Sequence, residues 1–197
     1  MNIINLTGSI SSIQPSHSIN GIEYEKANLI STKPDGKEDL IQLKFKKDMC
    51  PYREHSTVSL SGQIRSYSRP ISEDKNKVDI YVYTSFDYPD DINDYSNEFE
   101  LDGRICKMQP LRKVKGGTNL QFILANNIVK EELGVKLSNY LPCIAWNKLA
   151  YDLALCDIND HIKITGELHF RLYKKYISED EVEVRQAHEL LVKGVTI

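Results

Sequence analysis

Long apolar runs are missing from this chain. No stretch of its 197 residues approaches the roughly 18 consecutive apolar residues a membrane span requires, and no basic segment followed by an apolar one stands near its start. Neither spanning nor secretion is expected, and the cytoplasm is the default location. Cysteine is sparse: Cys50, Cys106, Cys143 and Cys156 are far apart, with no C-x-x-C pair and no histidine at ligand spacing. That spacing argues against a zinc site and for reduced, mostly buried thiols. His17, His55, His161, His169 and His188 form no catalytic pattern, and no serine, cysteine or acid pair is spaced as a nucleophile with its base. An enzyme is not expected, and no metal or cofactor is implied. A surplus of positive charge is also lacking. With 25 Lys+Arg against 28 Asp+Glu the net charge is -3, which excludes binding of polyanions by bulk attraction alone. Residues 1–97 carry 11 cations against 14 acids and residues 98–197 carry 14 against 14, so any nucleic-acid site must be a local cluster.

What the chain does have is a pattern that occurs twice. Asn5-Leu6-Thr7-Gly8-Ser9-Ile10 shares its rhythm with Glu100-Leu101-Asp102-Gly103-Arg104-Ile105. Val58-Ser59-Leu60-Ser61-Gly62-Gln63-Ile64 is matched by Ile162-Lys163-Ile164-Thr165-Gly166-Glu167-Leu168. Each alternates apolar and polar residues around a central glycine, the pattern of a half-buried strand that bends sharply at mid-length. Two copies of the same bent pair imply two small β domains, and 197 residues divide into two cores of roughly 90 to 100 residues.

The first unit is expected over 1–88, with strands at 3–10, 23–31, 40–46, 57–67 and 77–85. A polar, acidic segment opening with Pro89 reads as a linker over 89–97. The second unit is expected over 98–197, with strands at 98–107, 119–125, 138–146, 161–171 and 183–192. Between its third and fourth strands Asn147 is placed to cap a short helix whose apolar face is Leu149, Ala150, Leu153 and Ala154. Pro51 and a shortage of apolar residues deny the first unit such a helix. Strand, strand, strand, helix, strand, strand is the order of an OB-fold. The expected fold is therefore all-β with one short helix: two tandem five-stranded Greek-key OB barrels, the first divergent.

Strand parity in the second unit turns Ile162, Ile164, Leu168 and Phe170 inward and Lys163, Glu167, His169, Arg171 and Tyr173 outward. Lys174, Lys175 and Tyr176 follow in an expected loop. Rings interleaved with cations on an open β surface suit single-stranded nucleic acid: bases stack on the rings while cations track the phosphates. A second cluster, Lys107, Arg112, Lys113 and Lys115, precedes the Gly116-Gly117 pair in an expected mobile hairpin tip. Tyr140 and Trp146, the one tryptophan, stand on the third strand. Trp146 and Tyr140 also fit as half-buried packing residues, and the lysines as ordinary solvated surface. In the first unit the outward candidates are Arg65, Tyr67 and Arg69, and that unit fits either a weak extension of the strand track or a packing and oligomerisation module.

The five blocks FELDGRICKMQPLRK, LQFILANN, YLPCIAWNKLA, DHIKITGELHFRLYKKY and EVRQAHELLVKGV, in that order and spacing, resemble the bacterial single-stranded DNA-binding proteins over residues 97–197. The full length looks like a tandem form found among Firmicutes and their mobile elements. The resemblance implies base stacking by Tyr140, Trp146 and Tyr173. It gives Arg171, Lys174 and Lys175, with Arg112, Lys113 and Lys115, to the phosphate backbone. It implies largely sequence-independent binding and protection of single-stranded DNA in replication or recombination. Replication or recombination proteins are then the partners, and a homo-oligomer, a dimer, is the expected assembly. Family members commonly end in an acidic, glycine-rich tail; here Lys193-Gly194-Val195-Thr196-Ile197 follows the last strand, so recruitment through such a tail is not expected. The alternative is an OB-fold protein-interaction module of a replication, primosome or conjugation apparatus with little DNA affinity, and the same stacking chemistry also admits RNA.

Overall fold

The computed structural model of the chain describes residues 1–72, 75–87, 95–130, 134–176 and 182–197; side chains at 69, 71, 72, 75–77, 130, 171–176 and 182–187 lie outside that description. The first barrel is built from β1 (Asn2–Ile19), β2 (Ile22–Thr32), β3 (Glu38–Lys46), β4 (Thr57–Ser72) and β5 (Lys75–Tyr83). The second is built from β6 (Asn97–Met108), β7 (Arg112–Val114), β8 (Gly117–Lys130), β9 (Val135–Trp146), α1 (Lys148–Leu153), β10 (His161–Tyr176) and β11 (Val182–Thr196). This is two OB-folds in tandem. In each, three strands form a meander and the last strand closes the barrel by a short parallel pairing with the third: Leu43 opposite Val82 in the first, Cys143 opposite Leu190 in the second.

The repeated glycines mark where a strand changes partners. β1 pairs with β4 through Ser9 and with β2 from Ser9 onward, just past Gly8. β4 leaves β1 at Gly62 and joins β5 at Gln63, and Gly103 and Gly166 mark the same exchanges in the second barrel. At these corners backbones cross too closely for a side chain. A Cβ on Gly8 would stand 2.5 Å from the Ile30 carbonyl oxygen, and one on Gly62 2.5 Å from Val82 Cγ1.

Alternation then fills both interiors. Ile4, Leu6, Ile41, Leu43, Phe45, Leu60 and Ile64 are fully buried in the first barrel, and Leu101, Ile105, Leu124, Leu141, Ile162 and Ile164 in the second. The helix α1 closes the second barrel with Ala150 and Leu153. In the first barrel Phe86 takes that place, edge-on to Phe45 at 4.9 Å and 6.0 Å from Tyr52. Asn147 precedes α1 but does not cap it; its Oδ1 instead accepts the Thr118 N–H at 3.2 Å. Among the described residues no helix is long and apolar enough to cross a membrane.

The barrels share one sheet because β1 pairs antiparallel with β6. Ile4 lies opposite Phe99, Asn2 opposite Leu101 and Leu6 opposite Asn97, so the repeats are related by a local two-fold axis between Ile4 and Phe99. The symmetry extends to side chains. Asn2 Nδ2 donates to the Ile64 carbonyl and its Oδ1 accepts the Ile64 N–H, at 2.8 and 2.9 Å. Asn97 does the same to Leu168, at 2.8 and 3.0 Å.

Two seams flank the axis. In one, Asn139 of β9 caps the open edge of β4: its Oδ1 accepts the Ser66 N–H at 2.6 Å and its Nδ2 donates to the Ile64 carbonyl at 2.8 Å. In the other, Asp39 of β3 accepts the Phe170 N–H of β10 at 2.8 Å. Asp39 also meets Lys33 Nζ at 2.8 Å and His169 Nδ1 at 3.4 Å, while His169 Nε2 lies 2.9 Å from Glu167. One seam is neutral, the other charged.

Candidate nucleic-acid interface

Parity on β9 sends Asn139, Leu141, Cys143 and Ala145 into the core, so Tyr140, Pro142, Ile144 and Trp146 take the outer face. Cross-strand register extends that face into rows. Trp146 lies opposite Asn119, which lies opposite Arg112. Pro142 lies opposite Ile123, and Ile123 opposite Lys107. Tyr140 lies opposite Ala125, and Ala125 opposite Arg104. Directly opposed residues share a face, so each ring has a cation two strands away, at about 10 Å by strand spacing. A bulge between Ile105 and Lys107 sets this pattern, because without it Lys107 would fall on the core face.

Two adjoining clefts run along this ledge. One, of about 280 Å³, has Ile123, Pro142 and Ile144 as its floor and Lys107 and Glu189 on its rim. The other, of about 390 Å³, is lined by Arg112, Asn119, Leu111 and Pro110. Gln109 and Gln121 belong to both. The clefts thus offer an apolar floor, amide groups and two cations, Lys107 and Arg112.

Of the residues singled out from the sequence, Tyr140 is 50% exposed. Trp146 is half-buried, with the β7–β8 turn folded toward its ring: a Cβ on Gly116 would stand 3.9 Å from Cζ3. Lys107, Arg112, Lys113 and Lys115 are all exposed. The structure does not keep the last three together on one face. Arg112 and Lys113 form a short strand where a mobile loop was expected, and Lys113, opposite Thr118, projects from the reverse side. Arg171, Tyr173, Lys174, Lys175 and Tyr176 lie on β10, paired with β11 from Ala187 to Val182, so 174–176 continue the strand rather than entering a loop. Their side chains are outside the described residues. The outward pair Glu167 and His169 is engaged in the charged seam.

Sequence reasoning missed Arg104, since only the bulge reveals that it shares a face with Lys107. In the first barrel it found Tyr67 but missed the tyrosines and the lysine around it. Lys44 Nζ stands 4.5 Å from the Tyr67 ring and 4.2 Å from the Tyr81 ring, and the Arg65 guanidinium lies 3.8 Å over Tyr83. Tyr24 and Tyr81 are buried, and so is Arg65, at 4% exposure, contrary to its expected outward role; Tyr67 is 41% exposed. The side chain of Arg69 is outside the described residues. Looking along the third strand for rings hides Tyr24, Tyr81 and Tyr83, because they stand on β2 and β5.

Burial would push the Asp39 carboxyl upward, but hydrogen bonds from His169, Lys33 and the Phe170 N–H outweigh it and hold the group down to about 2. The thiol of Cys143 is pushed well up by burial. No group of three or more metal-ligating side chains occurs among the described residues.

The geometry defines a class: a chain of two OB barrels joined across a local two-fold axis, with a ring-and-cation ledge on the second. Among solved structures the fold of the chain is similar to that of the single-stranded DNA-binding protein from Thermus aquaticus. Its wild-type crystal structure aligns with 100% of this chain and 92% of that one, at a TM-score of 0.71 and 16% identity. A deletion mutant of the same protein covers 100% and 93%, at the same score and identity. The resemblance drawn from residues 97–197 therefore holds for the fold, and the fold likeness spans the whole length. No family model matches the sequence, and no curated protein matches it.

Proposed function

We propose that the chain binds single-stranded DNA, largely without regard to sequence, and shields it during replication or recombination. The observation that carries this reading is the ledge itself: Trp146 and Tyr140 on the outer face of β9 to either side of Pro142 and Ile144, with Arg112, Lys107 and Arg104 two strands away. Ring faces accept any base, while the cations meet phosphates spaced along the strand. Local placement matters because the chain's net charge of -3 supplies no general attraction. Arg171, Tyr173, Lys174, Lys175 and Tyr176 extend the same reading along β10. Partners from replication or recombination, and assembly of two chains into a four-barrel dimer, belong to this proposal.

Titration with oligo-dT tests it through Trp146, the only tryptophan. Fluorescence quenching that weakens steeply with salt is the expected result, because counterions are released as phosphates are neutralised. An unchanged signal with no mobility shift at low salt overturns the reading in favour of a protein-interaction module.

A further inference from the structure

We propose that a DNA strand occupying both barrels crosses between them at the neutral seam, passing from Tyr140 to Tyr67, and that the charged seam is closed to it. This rests on the strand-binding reading above and adds the route.

Besides the Asn139 cap, Ser66 Oγ donates to the Tyr140 carbonyl at 2.8 Å at this seam. Because Asn139 meets the backbone edge of β4, β9 approaches the β4–β5 ribbon edge-on, leaving the ribbon's faces uncovered by β9. Tyr67 follows Ser66 directly and Tyr140 follows Asn139 directly. Both rings are well exposed, at 41% and 50%, so an exposed tyrosine stands on each side of one hydrogen-bonded junction. Each has a cation in reach: Lys44 Nζ at 4.5 Å from the Tyr67 ring, and Arg104 in the row of Tyr140. The carboxylate opposite Tyr67 is Asp79, so contact there is by stacking rather than through phosphate.

The local two-fold makes the other seam a built-in comparison. Asp39 takes the place of Asn139 there and Leu40 that of Tyr140, with Glu167 beside them. The half-buried rings at that seam, Phe170 and His188, pack on each other at 5.5 Å. Lys33 is committed to Asp39. Among the described residues this seam has no exposed ring for a base to stack on, and its charges are already paired with one another, Asp39 with Lys33 and Glu167 with Lys193.

The test compares a short oligo-dT of about eight nucleotides, long enough for one barrel, with one of about 25 that reaches both. Trp146 quenching reports the second barrel in each case. Tyr67→Ala is expected to leave the short oligomer's affinity unchanged and to weaken the long one by roughly 5- to 150-fold. Tyr67→Phe, which keeps the ring, is expected to bind both as the parent chain does. Equal loss at both lengths, or no loss at either, overturns the route. If the parent chain binds neither oligomer, the strand-binding reading itself fails, and the two failures are thereby distinguished.

Discussion

Replacing Asp39 by asparagine copies into the charged seam the residue that its symmetry mate, Asn139, supplies to the neutral one. Asparagine still accepts the Phe170 N–H, now at 2.8 Å from Asp39 Oδ1, but gives up the ion pair with Lys33 and the contact with His169. The magnitude follows from linkage. The carboxyl is held from 3.8 down to about 2. At 1.36 kcal/mol per unit, that difference corresponds to about 2 to 3 kcal/mol of folding stability. A depressed carboxylate contributes fully above its unfolded value near 3.8, and its contribution disappears as pH falls toward 2. Asp39→Asn is therefore expected to lower the urea unfolding free energy by about 2 kcal/mol at pH 7. The gap between parent and variant should close as pH drops from 4 to 2. Equal stability at pH 7, or a gap that persists unchanged at pH 2, would refute the assignment of Asp39 as an ionised, seam-holding group.

Arg112→Ala, measured by oligo-dT titration across salt concentrations, should reduce the log-log salt slope by about 0.7, one phosphate contact on a single strand. Gly8→Ala places a Cβ 2.5 Å from the Ile30 carbonyl oxygen and should cost about 1 to 3 kcal/mol, seen as a lowered thermal midpoint. An aromatic thiol reagent should modify exposed Cys106 first, whereas Cys143, at 3% exposure, should react only as the chain unfolds.

The barrels were readable in the sequence because their cause is local. A glycine inside an alternating strand announces a backbone crossing that admits no Cβ, and all four such glycines mark a change of partner. Alternation assigned the faces of β10 over 162–168 for the same reason: Ile162, Ile164 and Leu168 are buried and Lys163 is exposed, each residue's side following from its neighbours. Where a non-local event resets the count, reading fails. The bulge at Cys106 turns Lys107 outward and so places it with Arg104, and nothing in residues 104–107 announces it. The three-residue strand β7 is too short for periodicity to register, so Arg112 and Lys113 read as loop. The seams were hidden altogether, since Asn139 with Ser66 and Asp39 with Phe170 join residues 73 and 131 positions apart. Of the first barrel's rings only Tyr67 was readable, because Lys46, not an aromatic, stands at the place equivalent to Trp146.

Photo-crosslinking tests the ledge most directly. A bromodeoxyuridine-substituted oligonucleotide is irradiated with the whole chain and the adducts are mapped by mass spectrometry. Adducts on Trp146 and Tyr140 are the expected result. Adducts confined to residues away from the ledge, such as Ile3 and Glu100 where β1 pairs with β6, would contradict the account.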